Sequence, residues 1–273
     1  MNKICLALES GGMRNTKTNG VLDFFLEEGL HIDHVSAFSS ACISAYYYLQ
    51  RQNGMAQSRF IEIASNASLI AMFSGNGLFN ANAFHSLTDL PEGKTLEYGI
   101  YNCLTGEVEM LSFINSEQSI ERLVASVSIP IGQKKQLIDG IPYKDGGMKL
   151  SIPYQHLLDK NYNPIIIMNK PNGYQRKIDV FLPMIKVIYK DYPHLIEDMQ
   201  ERCFVYNQAL SELEKLNTAN EVCIIMAEEE LPVSANTINR NRLNQSYELG
   251  FKTGQSNYQR VKKFTQMHGK SGV

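Results

Sequence analysis

Near the start of this sequence a short apolar run stops at a tight turn and passes into an amphipathic stretch, and the pattern then occurs a second time. Ile4 to Leu8 reads as a buried strand ending at Glu9-Ser10-Gly11-Gly12. From Gly20, the residues Val21, Leu22, Phe24, Phe25 and Leu26 fall on one side of a helix, and Gly29 stands where a C-terminal stop is expected. Ile32 to Phe38 is the second strand and Ile43 through Leu49 the second helix, with Ser39 at their junction. Two such units in succession require crossover connections, which favours an α/β fold with a parallel sheet covered by helices.

The middle of the chain is less regular. Gln57 to Leu90 reads as mixed helix and loop, with Ala71-Met72-Phe73 and Gly77-Leu78-Phe79 forming apolar clusters of no clear period. Leu96 to Tyr101 and Glu107 to Leu111 alternate around Thr105-Gly106 and predict a hairpin. A helix is expected over Ile120 to Val127, ended by Pro130. Ile138 to Tyr143, broken by Gly140 and Pro142, is expected to be loop leading into Asp145-Gly146-Gly147. A short helix around Tyr154 to Leu158, a strand over Pro164 to Met168, and two long helical stretches flanking a strand at Val222 to Met226 complete the chain.

A length of 273 residues suits one α/β domain spanning 1–273, with a core over about 3–265 and a short basic C-terminal tail of Arg260, Lys262, Lys263 and Lys270. The tail reads as a solvated helix face. Apolar residues at 44% and charged residues at 20% are ordinary for a globular protein. A formal charge of −2 gives no reason to expect a nucleic-acid partner. Cys5, Cys42, Cys103, Cys203 and Cys223 are odd in number and widely spaced, so neither a disulfide framework nor a zinc site is indicated, and a reducing cytoplasmic setting is expected. The first residues lack the pattern of a signal peptide, and no window approaches a membrane-spanning length.

Three elements carry candidate chemistry. Ser39, in Ala37-Phe38-Ser39-Ser40-Ala41, has the strand-to-helix setting in which a nucleophilic hydroxyl is exposed next to backbone amides, and its flanks are small as a sharp turn requires. Taken alone it reads more readily as a helix N-cap, and Ser40 is the rival one position on. Gly11-Gly12 leave room for backbone N–H groups to approach an oxyanion, and Arg14 beyond them could tie the loop down or stabilise negative charge. Asp145 precedes two glycines that allow its carboxylate to approach another loop.

In order and context, these elements resemble the motifs of the patatin-like phospholipase family. The similarity is carried by Leu8-Glu9-Ser10-Gly11-Gly12-Met13-Arg14-Asn15, by Ala37 to Ala41 and by Lys144-Asp145-Gly146-Gly147. It extends to Asn102 to Glu107, Ala125 to Pro130, Ile152-Pro153, Lys170 to Tyr174 and Tyr247 to Gly250, covering roughly residues 3 to 265. The resemblance implies a three-layer α/β/α sandwich with a central, mostly parallel sheet, and a Ser-Asp dyad acting on a lipid or acyl ester. Ser39 is then the nucleophile, Asp145 the general base, Gly11 and Gly12 the oxyanion-hole donors, and Arg14 a support for that loop. It calls for no metal or cofactor, and transient contact with a membrane surface is the partner expected besides substrate. Ser10, Asn15, Ala37 and Ala41 stand where the family pattern usually has glycine.

That departure leaves open an impaired relative that binds acyl chains with little turnover, and Gly11-Gly12 leave open a nucleotide-binding protein that cradles phosphate there. None of the six histidines is needed by a dyad. His31 and His34 lie before and along a strand and are assigned to surface or packing, whereas His85, His156, His194 and His268 show no metal-ligand spacing. Phe73, Leu78, Phe79 and Phe84 read as core rather than an acyl groove.

Overall fold

The computed structural model describes residues 3–67, 77–84 and 86–269. Its elements are β1 (Lys3–Leu8), α1 (Asn15–Glu27), β2 (His34–Ala37), α2 (Ala41–Leu49), α3 (Met55–Asn66), β3 (Thr95–Asn102), β4 (Val108–Ser112) and α4 (Ser116–Ser126). There follow β5 (Gln136–Ile138), β6 (Ile141–Asp145), α5 (Tyr154–Asp159), β7 (Tyr162–Pro171), α6 (Leu182–Ile188), α7 (Pro193–Thr218), β8 (Cys223–Ala227) and α8 (Arg240–His268). The strands form one sheet in the order β5-β6-β3-β2-β1-β7-β8, with β4 also paired to β3. β3, β2, β1, β7 and β8 run parallel, while β4, β5 and β6 form an antiparallel end.

The parallel core is apolar on both faces because successive side chains of a strand point opposite ways. Leu6, Leu8, Ile165 and Ile167 pack in the larger cluster with residues of α1, α2 and α8. Cys5, Ala7, Ile166 and Met168 face the other way, toward Leu157 of α5 and Tyr206 and Leu213 of α7. The result is a sheet with helices on both faces, the α/β/α arrangement expected from the sequence. α1 and α8 cross very closely: a Cβ on Gly20 would lie 2.1 Å from the Tyr247 carbonyl oxygen, and one on Gly250 would lie 2.0 Å from that of Lys17. Only hydrogen fits at either position.

Two sequence expectations need correction. α1 begins at Asn15 rather than near Gly20, because residues Asn15 to Asn19 are polar yet fully buried and so give no apolar period. Ile138 to Tyr143 is a hairpin, not a loop: Asp139 and Gly140 both have positive φ, 51° and 80°, as a tight two-residue turn requires. Pro142 still contributes to the sheet edge, its carbonyl accepting from Cys103 N–H at 2.9 Å. The basic cluster is the solvated helix face expected, Arg260, Lys262 and Lys263 being exposed in the last turns of α8 while Val261 and Phe264 bury against the core.

The cluster Ala71-Met72-Phe73, His85 and Lys270 lie outside the described residues. Phe79 and Phe84 are core, and Leu78 packs against it. The five cysteines are buried, and none is in a disulfide. Among the described residues no helix is long and apolar enough to cross a membrane. His34 is buried and lies 2.9 Å from the Glu97 carboxylate, which His156 approaches at 3.2 Å.

Candidate active site

The register of β3 determines what meets at the carboxyl ends of the parallel strands. Tyr98 pairs with Ala37 of β2 and also with Leu111 of β4, while Ile100 pairs with Glu109 of β4 and with Asp145 of β6. A strand has two edges, so β2 and β6 must share the edge opposite β4. β2 ends at Ala37, and β6, running the other way, ends at Asp145 just beyond it along that edge. Ser39 follows directly from β2. The chain therefore delivers a serine and a carboxylate to one point from opposite directions.

Ser39 sits at φ 59°, in the left-handed region that disfavours residues other than glycine by about 1–2 kcal/mol. α2 starts immediately, with Ala41 N–H donating to the Phe38 carbonyl at 3.3 Å and Cys42 N–H to that of Ser39 at 3.0 Å. The residue at the helix cap is Ser40, whose side chain makes no capping bond, so the elbow does not use its serines as caps. Ser40 is fully buried; its Oγ donates to the Gly12 carbonyl at 2.9 Å and lies 2.8 Å from the Asn15 amide. The Ser39 hydroxyl, 6% exposed, instead lies close enough to the Asp145 carboxylate to favour its ionised form.

Phe38 keeps the two loops in contact. Its ring fills space where a Cβ on Gly99 would lie 2.1 Å away and one on Gly146 3.0 Å away. Asp145 is itself held through its N–H, which donates to the Ser128 carbonyl at 3.0 Å, and through Oδ1, which accepts from Gly147 N–H at 2.7 Å. Burial raises its pKa to about 6, against the lowering effect of the Ser39 hydroxyl, the Gly147 hydrogen bond and the nearby Arg202 and Lys144 charges. Lys144, fully buried, donates to the carbonyls of Ile129 at 2.9 Å and Gln133 at 2.6 Å, and desolvation brings its ammonium down to about 7.

The glycine turn after β1 packs beside the elbow. Ser10 N–H donates to the Ser151 carbonyl and Met13 N–H to that of Ala235, both at 2.9 Å, whereas the N–H groups of Gly11 and Gly12 take no partner among the described residues. Gly12 has φ 58°, and a Cβ there would lie 2.5 Å from the Ala235 oxygen; one on Gly11 would lie 2.6 Å from Asn169 Nδ2. Both positions therefore require glycine. Asn169, at the end of β7, approaches the Asn15 amide at 2.6 Å, and its N–H donates to Glu9 Oε2 at 2.5 Å. Tyr206 O–H donates to the other oxygen of buried Glu9 at 2.6 Å. Arg14 is half-buried, and desolvation lowers its pKa while the charge of Glu9 opposes that shift. The Arg14 N–H donates to the Gly11 carbonyl at 3.2 Å, and the side-chain hydrogen bonds that tie the turn come from Ser40 and Asn169.

The alanines flanking the elbow impose no backbone strain. Ser39, Arg51, Asp139, Asn161 and Asn220 are the non-glycine residues with positive φ among those described, so Ala37 and Ala41 are not in the left-handed region. Asn15 has φ −68° and needs no glycine either. Several residues at this site escaped sequence reading. Glu9 and Asn169 could have been flagged as polar residues closing apolar strands, whereas Arg202, whose guanidinium donates to the Gly147 carbonyl at 2.8 Å, gives no local signal within α7.

The family model of a domain of unknown function, DUF6363, matches residues 192–266, the part of the chain holding α7, β8 and most of α8. No curated protein matches the sequence. Among solved structures, the crystal structure of VipD from Legionella pneumophila aligns with a TM-score of 0.39 at 11% identity, covering 93% of this chain and 67% of that one. The matched DUF6363 segment supplies Arg202, Tyr206 and Ala235 to the surroundings of the serine elbow.

Proposed function

We propose that the chain is a patatin-like serine acyl hydrolase in which Ser39 is the nucleophile and Asp145 the general base. The observation that carries this reading is the convergence of a hydroxyl on a left-handed elbow with a buried carboxylate, delivered from β2 and β6 along one edge of β3, whose pKa is raised to about 6. A free carboxylate is too weak a base to activate serine well, and burial moves Asp145 toward the range where proton transfer is effective near neutral pH. As Ser39 Oγ attacks the ester carbonyl, its proton passes to Asp145. The oxyanion develops next to the uncommitted N–H groups of Gly11 and Gly12. Collapse breaks the bond to the alcohol, which takes the proton from Asp145. Water then attacks the acyl-serine, giving its proton to Asp145, and the acid leaves as Ser39 is reprotonated.

The impaired-relative reading rests on Ser10, Asn15, Ala37 and Ala41 standing in place of glycine, and none of the four has a positive φ that would call for glycine. A lipid or other acyl ester is the substrate class this chemistry serves. Hydrolysis of p-nitrophenyl butyrate tests the assignment: Ser39→Ala and Asp145→Asn should each lose on the order of 10²–10⁴ in kcat/KM while remaining folded. Unchanged turnover in either variant would exclude it.

A further inference from the structure

α6 is apolar on both of its sides. Ile185 and, just beyond the helix, Tyr189 are buried against Met148, Leu195 and Met199, which accounts for one face. The other face carries Phe181, Met184, Val187 and Ile188 at 51%, 48%, 74% and 53% exposure, and the preceding segment adds Ile178 at 61% and Val180 at 83%. A helix apolar all round normally has a partner on every side, and a contiguous apolar surface of this kind marks an interaction site. Scattered exposed side chains are ordinary. Six within eleven consecutive residues are not.

Charge indicates what the surface meets. Between positions 176 and 191 stand Arg176, Lys177, Lys186 and Lys190 against Asp179 and Asp191, a local positive excess in a chain of formal charge −2. Lys177, Lys186 and Lys190 are exposed around the apolar side chains. Aromatic and aliphatic residues rimmed by lysines suit an interface of acyl chains beneath anionic headgroups.

The segment is also fastened to the site loops. Arg176 donates to Ser151 Oγ at 2.9 Å, Tyr189 O–H to the Pro130 carbonyl at 2.7 Å, and Arg202 joins the Gly147 carbonyl to Asp179, 4.0 Å from its other nitrogen. We propose that α6 and the segment before it, residues 178–188, form a docking surface for an anionic lipid bilayer, placing the Ser39 site at the membrane. The inference rests on the acyl-hydrolase reading only for the choice of lipid over protein as occupant.

Co-sedimentation with phosphatidylcholine vesicles containing phosphatidylglycerol tests it. Wild type and Ser39→Ala should pellet alike, whereas Val180→Asp/Val187→Asp should lower the bound fraction by on the order of ten-fold and Lys186→Glu/Lys190→Glu should weaken it too. Both double variants alter exposed side chains and should keep wild-type melting and wild-type hydrolysis of a soluble short-chain ester. Equal pelleting of Val180→Asp/Val187→Asp and wild type would overturn the proposal, as would failure of wild type to pellet. Self-association in sedimentation velocity that Val180→Asp/Val187→Asp abolishes would also overturn it, assigning the face to a second copy of the chain. Pelleting without hydrolysis would leave the docking surface standing and count against Ser39 alone.

Discussion

The Arg202 guanidinium donates to the Gly147 carbonyl at 2.8 Å, so a helix late in the chain holds the loop whose Gly147 N–H in turn fixes Asp145. The Arg202 charge also favours ionised Asp145. Arg202→Met is expected to lower kcat on a soluble ester with little change in KM, and to move the acidic limb of the pH–rate profile upward. Arg202→Lys should restore part of the pH shift, because charge returns without the planar donor set. A lowered kcat with an unmoved profile would reduce Arg202 to a packing role.

Asp145 must be ionised to act as a base, so kcat/KM is expected to rise with pH through a value of about 6. Stability runs the opposite way. A carboxyl whose folded pKa lies above its unfolded value of 3.8 binds its proton more tightly in the folded state, favouring folding at low pH and losing that contribution as pH rises through about 6. Asp145→Asn removes the buried charge and should raise stability at pH 8 by about 1–3 kcal/mol while abolishing turnover. The advantage should shrink toward pH 4. Thermal melts at both pH values measure it, and a variant less stable than wild type at pH 8 would contradict the buried-base account.

Backbone strain at Ser39 gives a second stability signature. Ser39→Gly relieves the left-handed conformation at φ 59°, whereas Ser39→Ala retains it. Both should be inactive, with the glycine variant more stable than the alanine variant by about 1 kcal/mol in urea unfolding. Equal stabilities would mean that the elbow relaxes when the hydroxyl is absent.

How much of this was legible in the sequence depended on whether a signal was apolar and local. β1 and β7 announced themselves because buried strands are continuous apolar runs, and the Gly11-Gly12 and Ser39 elements stood out at the ends of β1 and β2. The first turns of α1 did not, since Asn15 to Asn19 are buried for polar reasons and imitate a loop. Gly140 and Pro142 were read as breakers although Asp139-Gly140 closes a hairpin that aims Asp145 at the elbow. The concern over Ala37 and Ala41 misplaced the strain, which falls on Ser39 itself. Arg202 was invisible because its partner is a backbone carbonyl from a distant loop, and sequence patterns do not report backbone acceptors.

The central claim is that Ser39 is a nucleophile activated by Asp145, and covalent labelling with a fluorophosphonate reads it most directly. Intact-mass and peptide analysis should find one adduct on Ser39 in wild type and in Ser40→Ala, none in Ser39→Ala, and strongly slowed labelling in Asp145→Asn. A folded wild type that takes no label, or a label that persists in Ser39→Ala, would contradict it.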